Sequence, residues 1–140
     1  MSKSKYFKLE ELLSSETAVN HGIENHPSWA DISNLYELAT CVLDPIREVW
    51  GEAIIVESGF RCVELNALVG GVPTSDHQDG LAADIRPSSV SKRTVVDLFN
   101  TIRTMVDEAI IEVDQIILYR RKKIVHVGIG KPYRRQFIVK

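Results

Sequence analysis

The chain is short of several things, and each shortage narrows what it can be. Only two of its 140 residues are cysteine. Cys41 and Cys62 lack CxxC spacing, which leaves no basis for a disulfide scaffold or a thiolate-built metal site. Both fall in apolar helical patterns and are expected as reduced core residues. No run approaches the roughly 20 apolar residues of a bilayer-spanning helix, so membrane insertion is not expected. Repeats, low-complexity tracts and proline-rich linkers are missing too. A length of 140 residues then predicts one domain over 1–140.

An excess of charge is also absent. A net charge of -2 and a pI near 6.1 give no general pull on phosphate backbones or anionic lipid, so nucleic acid is not an expected partner. At the N-terminus, Lys8, Glu10 and Glu11 interrupt any apolar run. The segment therefore lacks the core of a signal peptide. The expectation is a protein that is cytoplasmic as synthesised, whose action elsewhere would need separate export or lysis.

What is present is enough apolar material, 44% of residues, to build a packed core. After a short element at 7–14 and a possible capped turn at SSETA, HGIENHPSW reads as a loop. From Ser33, the residues Leu35, Leu38, Ala39, Val42, Leu43, Ile46 and Val49 fall on one helical face. Pro45 should kink that helix or remove one of its hydrogen bonds, and Gly51 should end it. Residues 53–60 read as a strand, RCVELNALVGG as a short helix, GVPTSDHQDG as a loop and LAADIRP as a strand. Val95 to Ala109 gives a second long amphipathic helix. VDQIILY, KIVHVGI and QFIVK close the chain as strands. The connection between 114–119 and 123–129 is too short for a parallel crossover, which makes them a hairpin. An α+β domain with helices on a small antiparallel sheet is predicted.

Histidine is scarce as well: His21, His26, His77 and His126 are all there is. His21 and His26 sit in the early loop and read as solvated or capping side chains. His77 lies at a loop-to-strand junction, and His126 interrupts the apolar strand IVHVGI. Asp84 interrupts LAADI, where a buried carboxylate needs a partner or a metal. Arg61 or Arg86 could supply the partner. Two imidazoles and a carboxylate are also the usual protein ligands of a catalytic zinc. By spacing alone, the HxxxxxxD pattern with a distant His is a weak motif.

In order along the chain, SGFR at 58–61, LNALVGG with Asn66, SDHQDGLAADI, DQI at 114–116 and VHVG at 125–128 resemble peptidase family M15, the zinc D-Ala-D-Ala carboxypeptidases. GIENHP and LDPIREVWG are similar to the short bacterial and phage forms. The resemblance covers most of the chain. It implies an α+β fold of the hedgehog and D-Ala-D-Ala-peptidase kind, with the metal site on a sheet face. It further implies that His77, Asp84 and His126 hold one Zn2+, that Ser75 shapes the substrate pocket, and that Gly80 allows a tight turn between ligands. Arg61 would offer its fork of N–H groups to a substrate carbonyl or carboxylate. An ion pair with Asp84 or Asp79 is the plainer reading of that arginine.

The activity implied is zinc-dependent hydrolysis of D-amino-acid-containing peptides, with peptidoglycan stem peptides as the partner. Members of the family commonly carry a general-base carboxylate three residues before the last histidine or near the end of the preceding strand. Here those places hold Lys123 and, at the strand end, Tyr119 and Arg120, and no Asp or Glu lies between Asp114 and His126. Asp79, Asp76 and Asp114 are the candidates for the vacant role. Tyr119 can donate a hydrogen bond but is a poor base at neutral pH. The alternative function is a zinc-containing cell-wall peptide-binding module that has lost hydrolysis. The basic turn RRKK reads either as a solvated hairpin tip or as a contact for an acidic peptide or wall polymer.

Overall fold

A computed structural model describes residues 3–140; the first two residues of the N-terminal stretch lie outside it. Two short helices open the chain, α1 (Leu9–Leu13) and α2 (Glu16–Asn20). Ser15 caps the second, its side chain accepting from the Ala18 amide. Helix α3 (Trp29–Leu38) begins four residues before the expected Ser33. Ser28 and Asp31 form a reciprocal capping box at its start.

The lost hydrogen bond at Pro45 is accommodated in a specific form. Residues Ala39–Leu43 are π-helical, with the Asp44 amide reaching back to the Ala39 carbonyl, and α4 (Asp44–Trp50) starts with Pro45 in its first turn. Proline has no N–H to give the carbonyl four residues back, and the shift to an i−5 ladder absorbs that loss. The wider turn also sets the helical phase back by about one residue. Val49, expected inside, is 52% exposed, and Trp50 is buried in its place. Cys41, expected in the core, lies off the buried stripe and is exposed, and Cys62 is half-buried; both are free thiols. Gly51 ends α4 in the left-handed region, as its type suggests.

The remaining elements are β1 (Ile54–Ser58), α5 (Val63–Leu68), a 3-10 turn at Asp76–Asp79, β2 (Ala82–Pro87), α6 (Val95–Asp107), β3 (Gln115–Tyr119), β4 (Ile124–Gly128) and β5 (Gln136–Val139). They form one sheet in the order β1-β2-β4-β3-β5. The α+β class is as expected, and β3 and β4 are the expected hairpin. The sheet is mixed, however, because β5 runs parallel to β3. After β4 the chain passes the near end of β3 and pairs on its far side. β5 thus runs opposite to its predecessor β4 and alongside β3, with no crossover over a sheet face.

One sheet face is apolar. Ala83, Ile85, Val125, Val127, Ile116 and Leu118 are all buried there, in one cluster with Leu35, Leu38 and Ile46 of the first helical layer and Leu98, Ile102 and Met105 of α6. Period-2 alternation then sends the intervening residues to the other face. Across that face the register places Ser58 opposite Asp84, Asp84 opposite His126, and His126 opposite Ile117. A register shift between Val56 and Ser58 is what brings Ser58 into this row. Among the described residues, no helix is long and apolar enough to cross a membrane.

The end of β1 is held tightly against α1. The Phe60 amide donates to the Leu12 carbonyl at 2.8 Å, and a Cβ on Gly59 would stand 2.2 Å from that same oxygen. Gly59→Ala must push α1 or the 59–61 turn aside, a form of overpacking that costs about 1–3 kcal/mol. A lower urea midpoint with an unchanged slope is the expected result. An unchanged midpoint would show that this contact yields freely.

Candidate metal centre

Three elements deliver the site. Asp84 on β2 and His126 on β4 are cross-strand partners. His77 lies in the 3-10 turn that leads into β2. Ser75 caps this turn, its hydroxyl accepting from the His77 amide at 3.2 Å. Gly80 leaves the turn with φ +72°, and a Cβ there would meet the Asp31 carbonyl at 2.5 Å. The tight turn expected at Gly80 thus also serves close packing on α3.

His77 Nε2 lies 3.2 Å and His126 Nδ1 3.0 Å from the same atom, Asp84 Oδ1. The ligand atoms of the three residues all fall within 4.8 Å of one another. His77 is 2% exposed and Asp84 6%. Burial alone would raise the Asp84 carboxyl's pKa, but its contacts with His126 and His77 outweigh that and hold it well below the usual carboxylate range.

The hydrogen bonding of His77 decides what this cluster is suited to. Its Nδ1 is 2.7 Å from the Gly59 carbonyl, an acceptor only, so Nδ1 carries the proton. A neutral ring then turns the lone pair of Nε2 toward the anionic Asp84 oxygen, which is unfavourable unless a cation sits between them. Backbone carbonyls commonly hold metal-ligating histidines this way. Tetrahedral ligand atoms at 2.0–2.1 Å from zinc stand about 3.3 Å apart, close to the 3.2 and 3.0 Å separations of the two nitrogens from Asp84 Oδ1. The donor set therefore fits a zinc ion, with His77 Nε2, Asp84 Oδ1 and His126 Nδ1 as the atoms to hold it.

Arg61 pairs with Asp84, the plainer of the two readings weighed for it, and also lines the cavity. Its Nη2 donates to Asp84 Oδ2 at 3.2 Å, its Nε to Ser58 Oγ at 3.0 Å, and its Nη1 to Asn66 Oδ1 at 3.4 Å. A guanidinium has five N–H groups, so two remain for the cavity. Arg86 pairs with Glu57 instead. Ser58 and the Gly59 carbonyl were not singled out from sequence for these supporting roles. The only sequence signal was their place in SGFR.

The three carboxylates left without a role separate clearly. Asp79 is exposed, and it is not among the residues that line the cavity of about 510 Å³ over the triad. Asp114 does line it, but Arg134 grips both its oxygens, at 2.8 and 2.9 Å. That side-chain pairing holds the Asp114 carboxyl below its ordinary range. Asp76 also lines the cavity and, among the described residues, accepts only from the Gly130 amide, at 3.2 Å. Burial is the main cause pushing its carboxyl up.

Room for Asp76 comes from two glycines of VHVGIG. A Cβ on Gly130 would stand 2.4 Å from Asp76 Oδ1. One on Gly128 would stand 3.1 Å from Asp76 Oδ2 and 3.2 Å from His126 Nε2, so the carboxylate lies near that ring. Tyr119 lines the cavity too, and burial followed by the charge of Asp84 pushes its phenol pKa up. It stays a donor. His21 and His26 are exposed and distant in role: His21 contacts the Thr17 carbonyl at the end of α2, and His26 lies near Glu24.

Comparison with curated proteins gives no match. A family model described as Peptidase M15 matches residues 5–128, a span that holds the SGFR turn, the 3-10 turn and all three residues of the buried cluster. On that match the chain belongs to the peptidase M15 family.

Proposed function

We propose that the protein is a zinc metallopeptidase that cleaves D-amino-acid-containing peptides of bacterial peptidoglycan, with His77, Asp84 and His126 as the metal ligands. The observation that carries this reading is the pair of imidazole nitrogens aimed at one buried carboxylate oxygen, with the His77 tautomer set by Gly59. A zinc ion bound there would polarise a scissile carbonyl and make water a usable nucleophile near neutral pH.

The chain's own residues supply the rest. The two spare N–H groups of Arg61 orient the substrate carbonyl and stabilise negative charge that develops on it. Asp76 accepts the proton of the attacking water and returns it to the leaving amine as the C–N bond breaks. Burial pushes the Asp76 carboxyl up and makes it the more basic of the two, whereas the Asp114 carboxyl is made less basic by Arg134. Ser75 holds the 3-10 turn and borders the pocket.

A second reading is a zinc-containing peptide-binding module without turnover. The observation that favours it is Tyr119, a hydrogen-bond donor, facing the cavity where family members commonly place a carboxylate.

Zinc content and hydrolysis of a D-Ala-D-Ala peptide, measured on the same preparation, separate the two. Bound zinc with turnover is expected. Zinc with no turnover on any stem peptide selects the binding module, and no bound zinc removes both.

Two sets of variants test the assignments. His77→Ala and His126→Ala are expected to lose the metal, while His26→Ala retains it at the wild-type level by elemental analysis. Equal zinc in all three would refute the ligand set. Asp76→Asn is expected to lower kcat by about 10²-fold or more, the usual worth of a general base, with zinc content unchanged. In the wild type kcat/KM should rise with pH as Asp76 deprotonates, above the ordinary carboxylate range, and Asp76→Asn should lose that limb. Asp79→Asn should match wild type. Loss of zinc in Asp76→Asn would instead mark Asp76 as a residue that only positions His126.

A further inference from the structure

The charge of the chain is unevenly placed. Eight of its seventeen Lys and Arg residues and none of its nineteen Asp and Glu residues fall between Gln115 and Lys140. Arg134 and Arg135 are paired, with Asp114 and Glu112. Among the described residues, Lys122 and Lys140 have no acidic side chain within ion-pair distance. A solvated hairpin tip accounts for Arg121 and Lys123. It does not account for Lys122 and Lys140, which line the same cavity as the metal triad.

Their placement is specific. Tyr119 follows Ile117 on the sheet face that carries His126, and Lys140 follows Ile138 beside it. Both Lys140 backbone groups are fastened to the β3 side, its amide to the Leu118 carbonyl and its carbonyl to the Arg120 amide. The two ammonium groups converge on one ring, at 5.3 Å (Lys122) and 5.9 Å (Lys140) from the Tyr119 centroid. Two strand positions separate this cluster from the His126 row, about 6.6 Å. An extended peptide covers that distance in roughly two residues. Asp76, which has no cationic side chain within ion-pair distance among the described residues, lines the same cavity beside Gly128 and Gly130, at the far end of β4 from Tyr119.

We propose that Lys122 and Lys140, with Tyr119 between them, form a subsite for a free carboxylate of the substrate peptide, about two residues from the bond presented to the metal centre. This rests on the peptidase reading for the identity of the peptide, but its binding is measurable without turnover. The carboxylate can be the peptide's own C-terminus or the α-carboxylate of a γ-linked D-Glu, since both present the same anion. A cleft with cations at one end and a carboxylate at the other fixes the direction in which the peptide lies.

The test uses zinc-loaded protein and ketomethylene isosteres, in which CH2 replaces the amide N–H so that no bond is cut. One pair is acetyl-L-Lys-D-Ala-D-Ala with its C-terminus free or amidated. The other is L-Ala-γ-D-Glu-L-Lys amide with the Glu carboxylate free or amidated. For at least one pair, the free acid should bind wild type about five- to tenfold more tightly than the amide at low salt, as two partly exposed ion pairs allow. The pair that shows it identifies the source.

That ratio should fall to near one in the Lys122→Gln/Lys140→Gln double variant and on raising the salt. It should persist in Lys131→Gln, whose ammonium lies over Tyr133. A ratio near one for both pairs in wild type, or one that survives the double substitution, overturns the proposal. Turnover of the ordinary peptides is read separately: its absence with the ratio intact removes the peptidase reading and leaves the subsite standing.

Discussion

One buried carboxylate organises this molecule. Asp84 sits in a strand whose neighbours Ala83 and Ile85 are fully enclosed, and an ionised side chain there is tolerable only if both oxygens are engaged. Arg61 engages one and the two imidazoles face the other. Each of those partners is itself held. Ser58 and Asn66 fix the guanidinium, the Gly59 carbonyl fixes the tautomer of His77, and the β-ladder fixes the height of His126. The electrostatic need of a single residue thus ties together β1, the 3-10 turn, β2 and β4.

The supporting structure is placed to keep that arrangement rigid. The SGFR turn is clamped from two sides. The Asn25 side chain donates to the Phe60 carbonyl and accepts from the Cys62 amide, and the Leu12 carbonyl takes the Phe60 amide. Asn25 belongs to the GIENHP loop, so that loop acts on the site by holding backbone rather than by bringing its histidines to it. The reverse face of the sheet is closed by the helical layer. The face with the triad opens into the cavity of about 510 Å³.

Glycine and charge then differentiate the cavity. Gly128 and Gly130 leave space that Asp76 occupies beside His126, while Arg134 takes Asp114 out of contention by neutralising it. Tyr119 faces the cavity with two lysines around its ring. The site is therefore acidic at one end and basic at the other. A peptide with a carboxylate meets complementary charge in only one of its two directions.

Much of this was legible in the residues. Alternation in IVHVGI and LAADI placed His126 and Asp84 in strands, helical spacing placed the two long amphipathic segments, and scarcity of histidine left few ligand sets to weigh. The start of α3 was missed because its signal is a capping box, SxxD, upstream of the apolar stripe. The burial of Trp50 in place of Val49 was missed because a π turn changes the phase that periodicity assumes. The parallel pairing of β5 depends on which side of β3 the chain returns to, a choice that leaves no local mark. By itself the sequence determined the element types, the apolar faces and the short list of groups able to bind a metal, because these follow from side-chain chemistry and spacing along the chain. Only the tertiary structure decided which carboxylate stays unpaired. That outcome turns on Arg134 meeting Asp114 and two glycines making room for Asp76, contacts between segments 20 to 54 residues apart, and no local pattern encodes them.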